Sequence, residues 1–294
     1  MSSHGCDDDI GHGFEVVGPD LIETPLIFNS PHSGARYPRS FLEQSRLDPL
    51  ALRRSEDAFV DELFEGCVGL GAPLLKAHFP RAFIDVNREA YELDPQMFED
   101  RLPAFVNTRS LRVAGGLGTI PRVVGDAQPI YRRPLRAAEA MERINRFYVP
   151  YHAKLRDLVG QACRLFGLAV LIDCHSMPSN HGEGAQPDFV IGDRFGESAA
   201  AWVADSIEGS LTASGFRVRR NKPYAGGFIT EHYGAPNLRR HAVQVEINRA
   251  LYMDERQIVR LPEMLRLRES LLGMVAALRF RAEREMVPRQ LAAE

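Results

Sequence analysis

The stretch "AVLIDCHSMPS", residues 169–179, begins with a run of apolar residues that Cys174 and His175 interrupt near its end. A short apolar run of this kind is typical of a strand buried in the centre of a sheet. A single histidine at the end of such a strand is often a core residue that has found a hydrogen-bond partner. Whether His175 has a structural or a chemical role therefore depends on the rest of the chain.

Further apolar runs stop abruptly at polar clusters, namely "PLIFNSPHSG" (25–34), "RAFIDVNR" (81–88), "DFVIGD" (188–193) and "HAVQVEIN" (241–248). Helical spacing of apolar residues separates them, over about 136–166 and 262–285, and Pro150 should kink the first helix or begin a second one. The alternation predicts an α/β fold in a single domain, with a mixed, mostly parallel central sheet and helices on both faces. We expect a flexible tail at 1–13 and the domain at 14–294.

Composition narrows the function classes. The chain has 294 residues, 45% of them hydrophobic, a net charge of −3 and a pI near 6.3, which does not favour nucleic-acid binding. No apolar run reaches the roughly 18 residues of a membrane helix. The first residues are polar and acidic, so a cytoplasmic location is expected. The four cysteines, among them Cys6 and Cys174, form no CxxC pair and are expected to be reduced thiols.

Two histidines follow apolar runs in the same way. His32 comes after "LIF", and His175 after "AVLI", and in parallel sheets ligands bind beyond the carboxyl ends of the strands. A catalytic zinc site takes three ligands from His, Asp or Glu and keeps one position open. Glu56 and Asp57 begin a predicted amphipathic helix and could supply the third ligand. They could equally be acids that favour the first turn through the helix dipole.

Two other polar groups stand at predicted strand ends. In "HAVQVEIN" apolar and polar residues alternate, so Glu246 belongs to a polar face. That face is solvated if the strand is an edge, but in a central strand Glu246 would be a buried acid that needs a partner or a task. The run "AFI" leads to Asn87 and Arg88, and a planar guanidinium there is suited to gripping a carboxylate with two hydrogen bonds.

Together these stretches resemble the N-formylglutamate amidohydrolase family. The matching segments occur in the order "FNSPHSGARYP" (28–38), "DAFVDELF" (57–64), "RAFIDVNR" (81–88), "GTIPRVVGDAQPIY" (118–131), "IDCHSMPS" (172–179), "DFVIGDRFG" (188–196), "NKPYAGGFITEHYGAP" (221–236) and "HAVQVEINRALYMDE" (241–255). The family resembles zinc carboxypeptidases and aspartoacylases at a distance. The resemblance implies a phosphorylase/hydrolase-like, zinc-carboxypeptidase-like α/β domain that hydrolyses amides with one zinc ion.

The resemblance also implies roles for individual residues. His32 and His175 would be zinc ligands with Asp57 as the third, although the neighbouring Glu56 keeps that last assignment open. Glu246 would be the general base that takes a proton from water and hands it to the leaving amine. The substrate-binding residues would be Asn87 and Arg88, for the carboxylate, together with Arg122 and Thr230. Four more residues lie in family motifs without an assigned role: Tyr131, Gly226, Gly227 and Arg249.

The expected reaction is hydrolysis of the N-acyl amide bond of an acidic N-acyl amino acid. N-formyl-L-glutamate, cleaved to formate and L-glutamate in histidine degradation, is the first candidate substrate. A related N-acyl amino acid hydrolase or a carboxypeptidase-like peptidase is the first alternative, and a non-catalytic carboxylate-binding protein is the second. A nucleophilic pair of Cys174 and His175 is disfavoured, because adjacent residues in a strand point to opposite faces.

Overall fold

The computed structural model describes residues 10–179 and 186–286. The chain forms two compact units. The first contains the described residues of Met1–Glu15, Pro31–Ala58 and Lys76–Lys154, and the second those of Val16–Ser30, Phe59–Leu75 and Leu155–Glu294. None of the helices formed by the described residues is both long and apolar enough to cross a membrane.

Strands and helices are interspersed along the chain. The strands are β1 Phe14–Val17, β2 Leu26–Ser30, β3 Leu74–Ala77, β4 Val123–Val124, β5 Gln128–Pro129, β6 Ala169–Met177, β7 Phe189–Gly192, β8 Val218–Arg220, β9 Arg240–Asn248, β10 Met253–Asp254 and β11 Val259–Arg260. The α-helices are α1 Arg39–Gln44, α2 Pro49–Arg53, α3 Val60–Phe64, α4 Leu111–Ala114, α5 Ala137–Arg143, α6 Val149–Phe166, α7 Ala201–Ala213, α8 Phe228–Tyr233 and α9 Met264–Glu283.

A seven-stranded sheet has the order β1-β3-β2-β6-β9-β7-β8. The pairs β2–β6, β6–β9 and β7–β8 are parallel, whereas β7 and β9 are antiparallel, so the sheet is mixed. The predicted α/β class with a mixed, mostly parallel sheet is confirmed. Two short hairpins, β4–β5 and β10–β11, lie outside this sheet.

The centre of the sheet belongs to the second unit. Strand β9 has neighbours on both sides, so it is a central strand and not an edge. In the parallel pairing of β6 with β9, Asp173 lies opposite Gln244 and His175 lies opposite Glu246. Residues two apart in a strand share a face, so these four polar side chains lie on one face of the sheet. All four are buried polar groups, since β6 is buried over its whole length and β9 from His241 to Asn248.

Helices of the second unit cover part of this sheet. Helix α9 packs against α3 and α7, and those two helices contact strands of the sheet. The buried residues of α9 recur every three or four positions: Leu267, Leu271, Met274, Val275, Leu278 and Ala282. This periodicity buries one face of the helix and leaves the other to solvent. The helix predicted over 262–285 is confirmed.

The predicted helix over 136–166 is divided. Helix α5 ends at Arg143, a π-helical turn covers Ile144–Tyr148, and α6 begins at Val149. Pro150 is therefore the second residue after the π-helical turn, and the backbone stays helical on both sides of that turn, at Arg143 and at Val149. Before this junction the buried Arg143 stacks over the Phe83 ring, with its Cζ atom 4.2 Å from the ring centroid.

Two local predictions are wrong. The segment 81–88 forms turns and not a strand. Its backbone is not paired in a sheet ladder, and the Asp85 N–H instead donates to the Thr119 carbonyl at 2.8 Å. Glu56 and Asp57 do not begin a helix either. Helix α3 begins at Val60. Phe59, the residue before it, has a left-handed conformation with φ of 66°, so the helix cannot extend back to Glu56 and Asp57.

The predicted tail at 1–13 falls largely outside the described residues, which begin at residue 10. Ile10 is buried, and strand β1 begins at Phe14. The boundaries 1–13 and 14–294 stay predictions. Of the cysteines, Cys6 lies outside the described residues, and Cys67, Cys163 and Cys174 are free thiols.

Candidate metal centre

His175 is held on β6 by a carboxylate two residues before it. The His175 Nε2 atom lies 2.9 Å from Asp173 Oδ2, as the alternation of the strand predicts. The other Asp173 oxygen, Oδ1, accepts a hydrogen bond of 2.7 Å from the Asn29 amide on β2. A carboxylate that contacts one ring nitrogen fixes the orientation of the ring and directs the other nitrogen to a ligand.

His32 has a matching arrangement in the first unit. It follows the end of β2 by two residues, and its Nε2 atom lies 2.7 Å from Asp85 Oδ1. Asp85 also accepts hydrogen bonds of 2.8 Å from Arg81 Nη2 and 2.9 Å from the Asn87 N–H. Burial by itself would raise the pKa of Asp85, but the charges of Arg88, His32 and Arg81 hold that pKa well below its usual range. Asp85 is therefore ionised when it contacts His32.

The two acids before α3 have different surroundings. Asp57 Oδ2 lies 3.4 Å from His32 Nδ1, and both side chains are 1% exposed. Glu56 instead accepts hydrogen bonds from the Tyr37 hydroxyl at 2.7 Å and from Arg53 Nε at 3.1 Å. Burial and the neighbouring Glu56 charge raise the pKa of Tyr37 well above its usual value, so this phenol stays a donor. The geometry therefore favours Asp57 over Glu56 as a ligand.

Among the described residues, His32, Asp57 and His175 form one buried group. Each offers one ligand atom, and these atoms lie within 4.8 Å of one another. Two imidazoles and one carboxylate are a ligand set found in catalytic zinc sites. Both imidazoles carry the carboxylate contact that such ligands usually have. This group could bind a metal ion.

Glu246 lies on β9 as the register partner of His175. It is 7% exposed, and its Oε1 atom accepts a hydrogen bond of 2.7 Å from Gln244 Nε2. Gln244 in turn accepts a hydrogen bond of 2.8 Å from the Gly227 N–H. The carboxylate is therefore buried and fixed by an amide.

The glycine-rich segment before α8 is shaped by Thr230. The Thr230 hydroxyl donates to the Gly227 carbonyl at 2.8 Å. Gly226 has φ of 127°, and a Cβ atom there would lie 2.4 Å from Thr230 Oγ1, so only glycine fits. Thr230 is fully buried and supports this segment, whose Gly227 N–H reaches Gln244. Its predicted role in substrate binding stays a prediction.

Arg88 is buried and held by the first unit. Its Nε atom donates to the Leu117 carbonyl at 2.8 Å and its Nη1 atom to the Asn87 carbonyl at 2.8 Å. The Nη2 atom lies 3.6 Å from Asp85 Oδ2. Burial lowers the pKa of Arg88, and Asp85 opposes that shift. The guanidinium is thus fixed in direction, and it shares Asp85 with His32.

The remaining motif residues lie in three different settings. Arg122 Nε donates to Asp94 Oδ2 at 2.7 Å. The Tyr131 hydroxyl accepts a hydrogen bond from Arg143 at 2.8 Å, and the tyrosine is a core residue there. Arg249 is buried and donates from Nε to Ser176 Oγ at 3.0 Å, which links the ends of β9 and β6.

Sequence reasoning missed Asp85 and Gln244. Asp85 stands in the "DVNR" motif, two residues before Asn87, but a turn and not a strand brings it to His32. Gln244 could have been found, because it shares the polar face of "HAVQVEIN" with Glu246. The strand alternation disfavours a nucleophilic pair of Cys174 and His175, and Cys174 is fully buried, which raises the pKa of its thiol well above the usual value. A thiol of this kind is a poor nucleophile.

The fold and the site define a class: an α/β protein whose mixed, mostly parallel sheet carries a buried histidine and carboxylate group suited to a metal ion. The family model of N-formylglutamate amidohydrolase matches residues 24–253. The chain belongs to this family. The membership that the motifs predict and the enzyme class, an amidohydrolase, are confirmed.

Relatives support this assignment over nearly the whole chain. An N-formylglutamate deformylase from Pseudomonas aeruginosa is 29% identical over 247 residues, which are 82% of this chain and 86% of the relative. A crystal structure of N-formylglutamate amidohydrolase from Ralstonia eutropha has 36% identity and a TM-score of 0.88, covering 93% of this chain and 99% of that chain. A protein of known structure from Agrobacterium tumefaciens shares the fold, with 18% identity, a TM-score of 0.65 and coverage of 92% and 96%.

Proposed function

We propose that the protein is a zinc-dependent hydrolase that cleaves N-formyl-L-glutamate to formate and L-glutamate. The observation that carries the proposal is the buried group of His32, Asp57 and His175, in which both histidines contact a carboxylate. The names of the relatives support the choice of substrate. A role in histidine degradation and a cytoplasmic location stay predictions.

In this proposal His32, Asp57 and His175 hold one zinc ion. The Nε2 atoms of both histidines contact Asp85 and Asp173, so Nδ1 would be the ligand atom of each ring. A neutral imidazole and an ionised carboxylate are the forms that bind zinc. When bound, the ion would supply Lewis-acid polarisation of the formyl carbonyl and activation of water.

Glu246 is the general base in this proposal. Its carboxylate, which accepts a hydrogen bond from Gln244 at Oε1, would accept the proton of the attacking water. The same carboxyl group then returns that proton to the leaving nitrogen, which departs as the amino group of glutamate. Burial on a central strand keeps bulk water from competing for this proton, and the register of Glu246 with His175 supports its role as the base beside the proposed metal.

Arg88 provides recognition of the substrate. Its guanidinium is buried and oriented by two backbone carbonyls, which is the preorganisation that a bidentate carboxylate contact needs. Asn87 would add its amide to the same carboxylate. Arg122 and Thr230 are retained as further substrate-binding residues on the strength of their motifs. An acidic N-acyl amino acid therefore fits this proposal better than a neutral one.

The experiment is a substrate panel with purified protein. Formate release from N-formyl-L-glutamate is measured beside release of the acyl group from N-formyl-L-glutamine, N-acetyl-L-glutamate and N-succinyl-L-glutamate. We expect the highest kcat/KM on N-formyl-L-glutamate, at least about tenfold above each of the others, since a pocket discriminates one extra or missing methylene by about 10- to 200-fold. A higher value on an N-acetyl or N-succinyl compound would instead identify a related N-acyl amino acid hydrolase. No hydrolysis of any amide would overturn the proposal.

A further inference from the structure

A cavity of about 230 Å³ in the first unit is rich in arginine. We call it the arginine pocket and define it by the residues Arg46, Arg122, Arg132 and Arg133. Gln96 and Tyr131 lie beside these four arginines. Neither the proposed metal ligands nor Glu246 line this cavity. Arg122 is shared with the proposed substrate-binding residues, whereas Arg46, Arg132 and Arg133 have no role in the reaction proposed above.

Two of the arginines, Arg46 and Arg132, are fixed by side-chain hydrogen bonds to backbone carbonyls on the opposite segment. Ser45 and Tyr131 form an isolated antiparallel bridge, and each is followed by an arginine. Arg46 Nε donates back to the Tyr131 carbonyl at 2.9 Å, and Arg132 Nε donates back to the Ser45 carbonyl at 2.7 Å. Each side chain is thereby held at its Nε atom. The two terminal nitrogens of each guanidinium extend beyond that bond.

The charge of the pocket is not balanced by the contacts that the structure describes. Arg122 donates to the Asp94 carboxylate at 2.7 Å. Arg46 and Arg132 donate to carbonyl oxygens, which carry no net charge. Arg133 is exposed at the same cavity. Like charges that are held close together repel, and a bound anion would relieve that repulsion.

We propose that the arginine pocket binds a small anion with two or more negative charges, either phosphate or a di- or tricarboxylate. Guanidinium groups match both kinds of anion, because two parallel N–H donors face two oxygens. Fixing Arg46 and Arg132 before binding reduces the side-chain entropy that a ligand would otherwise have to offset. The volume of the cavity limits the occupant to a small molecule or a single charged group.

The test is isothermal titration calorimetry of the full chain with inorganic phosphate, citrate and, as a monovalent comparison, acetate. We expect saturable binding of phosphate or citrate at least tenfold tighter than that of acetate, weakening as salt is added. The anion that binds more tightly identifies the class of the natural ligand, phosphate or carboxylate. Arg132→Gln and Arg133→Gln should each weaken binding at least fivefold, since each removes one guanidinium from the pocket.

Two controls keep the test decisive. Arg266→Gln removes an exposed arginine on α9, far along the chain in the second unit, and should leave anion binding unchanged.

Because Arg132 also bonds a backbone carbonyl, the melting temperature of Arg132→Gln is compared with that of the unchanged protein. If Arg132→Gln is unfolded, Arg133→Gln alone is used for the binding test. Absence of saturable binding by phosphate and citrate would overturn the proposal. So would equal weakening by Arg266→Gln and Arg133→Gln.

Discussion

The strand pair β6–β9 and the turn segment 81–88 both supply groups to the candidate site, and they do so by different physical means. On the strands, register places His175 opposite Glu246 and Asp173 opposite Gln244. In the turns, side-chain bonds take the place of register: Asp85 is held by Arg81 and by the Asn87 N–H. The positions of the side chains on β6 and β9 depend on backbone hydrogen bonds to strands on both sides. The positions of the side chains in 81–88 depend on hydrogen bonds among those residues themselves.

This difference has a consequence for substitution. A strand residue can lose its side-chain partner and keep its position, since the backbone ladder is unchanged. Asp85 has several tasks at once, because it contacts His32, Arg81 and Arg88. We therefore expect substitutions on β6 and β9 to alter single functions and substitutions in 81–88 to alter metal binding and substrate binding together.

The largest effect is expected on the strand side, from Glu246→Gln. The substitution keeps the shape of the side chain but removes the proton acceptor, and general acid–base catalysis by a placed group is worth about 10²- to 10⁴-fold. We expect kcat to fall by that factor. Zinc content and the melting temperature should be retained, because the ladder on both sides of β9 is unchanged.

Steady-state kinetics and elemental analysis of the same preparation check this result, and Glu231→Gln on α8 is the control, as its acid is exposed. A variant with near-normal kcat would remove Glu246 from the mechanism. A variant that loses its metal would make Glu246 a ligand.

The second effect compares the two carboxylates that contact the histidines. Asp173→Asn and Asp85→Asn should each lower zinc affinity by about 10- to 100-fold, which is usual for such partners of metal ligands. Asp85→Asn should in addition raise KM, since it also removes the charge beside Arg88. Competition with a chelating dye measures the affinity, and substrate titration at saturating zinc measures KM.

Asp205→Asn, an exposed acid on α7, is the control for both variants. Equal KM values for Asp173→Asn and Asp85→Asn would show that the turn does not connect the metal site to Arg88. The contrast between the two regions would then be wrong.

A smaller effect is expected from Arg88→Lys. A lysine ammonium cannot reproduce two parallel hydrogen bonds, so kcat/KM on N-formyl-L-glutamate should fall by about tenfold or more. The loss should be smaller on N-formyl amides that lack the carboxylate bound by Arg88. Parallel assays on acid and amide forms of the substrate measure the difference, with Arg136→Lys as an exposed control. The same loss on both forms would make Arg88 a structural residue.

The smallest effect concerns the other end of β9. Burial, together with the charge of Arg239, lowers the pKa of His241 to about 4, and its Nδ1 atom accepts a hydrogen bond from the Ala200 N–H at 3.3 Å. The folded protein therefore holds this histidine neutral. Its contribution to stability is complete above the unfolded pKa of about 6.5 and is lost as the pH falls from there towards 4.

His241→Gln should flatten that part of the stability profile, because glutamine does not titrate. Melting temperatures at pH 7 and pH 5 should differ less in His241→Gln than in the unchanged protein. His12→Gln, at an exposed position, is the control. An unchanged difference between the two temperatures would show that His241 titrates as an ordinary histidine.

Strand patterns in the sequence predicted much of the sheet and of the strand half of the site. The apolar run before His175 and the alternation around Glu246 indicated buried strands, and both are central in the sheet. The turns were not predictable in the same way. The run "RAFIDVNR" is apolar enough for a strand, yet its buried residues Ala82, Phe83 and Ile84 lie in a segment of turns. Periodicity records that a residue is buried but not which backbone conformation buries it.

Side-chain partners explain the rest. Glu56 and Asp57 are adjacent acids that spacing cannot tell apart. Their partners distinguish them, since Glu56 bonds Tyr37 and Arg53 whereas Asp57 contacts His32. The contact of Asp85 with His32 joins positions 53 residues apart in the chain. Such a contact depends on the tertiary structure, so no local pattern in the sequence reports it.

The most direct test of the account is the metal content of the purified protein together with its hydrolysis of N-formyl-L-glutamate. We predict one zinc ion per chain, loss of formate release on removal of the metal with a chelator, and recovery when zinc is restored. Asp57→Ala should lose the metal, whereas Glu56→Ala should keep it. Activity that survives chelation in a protein without stoichiometric metal would contradict the account, as would retention of the metal by Asp57→Ala.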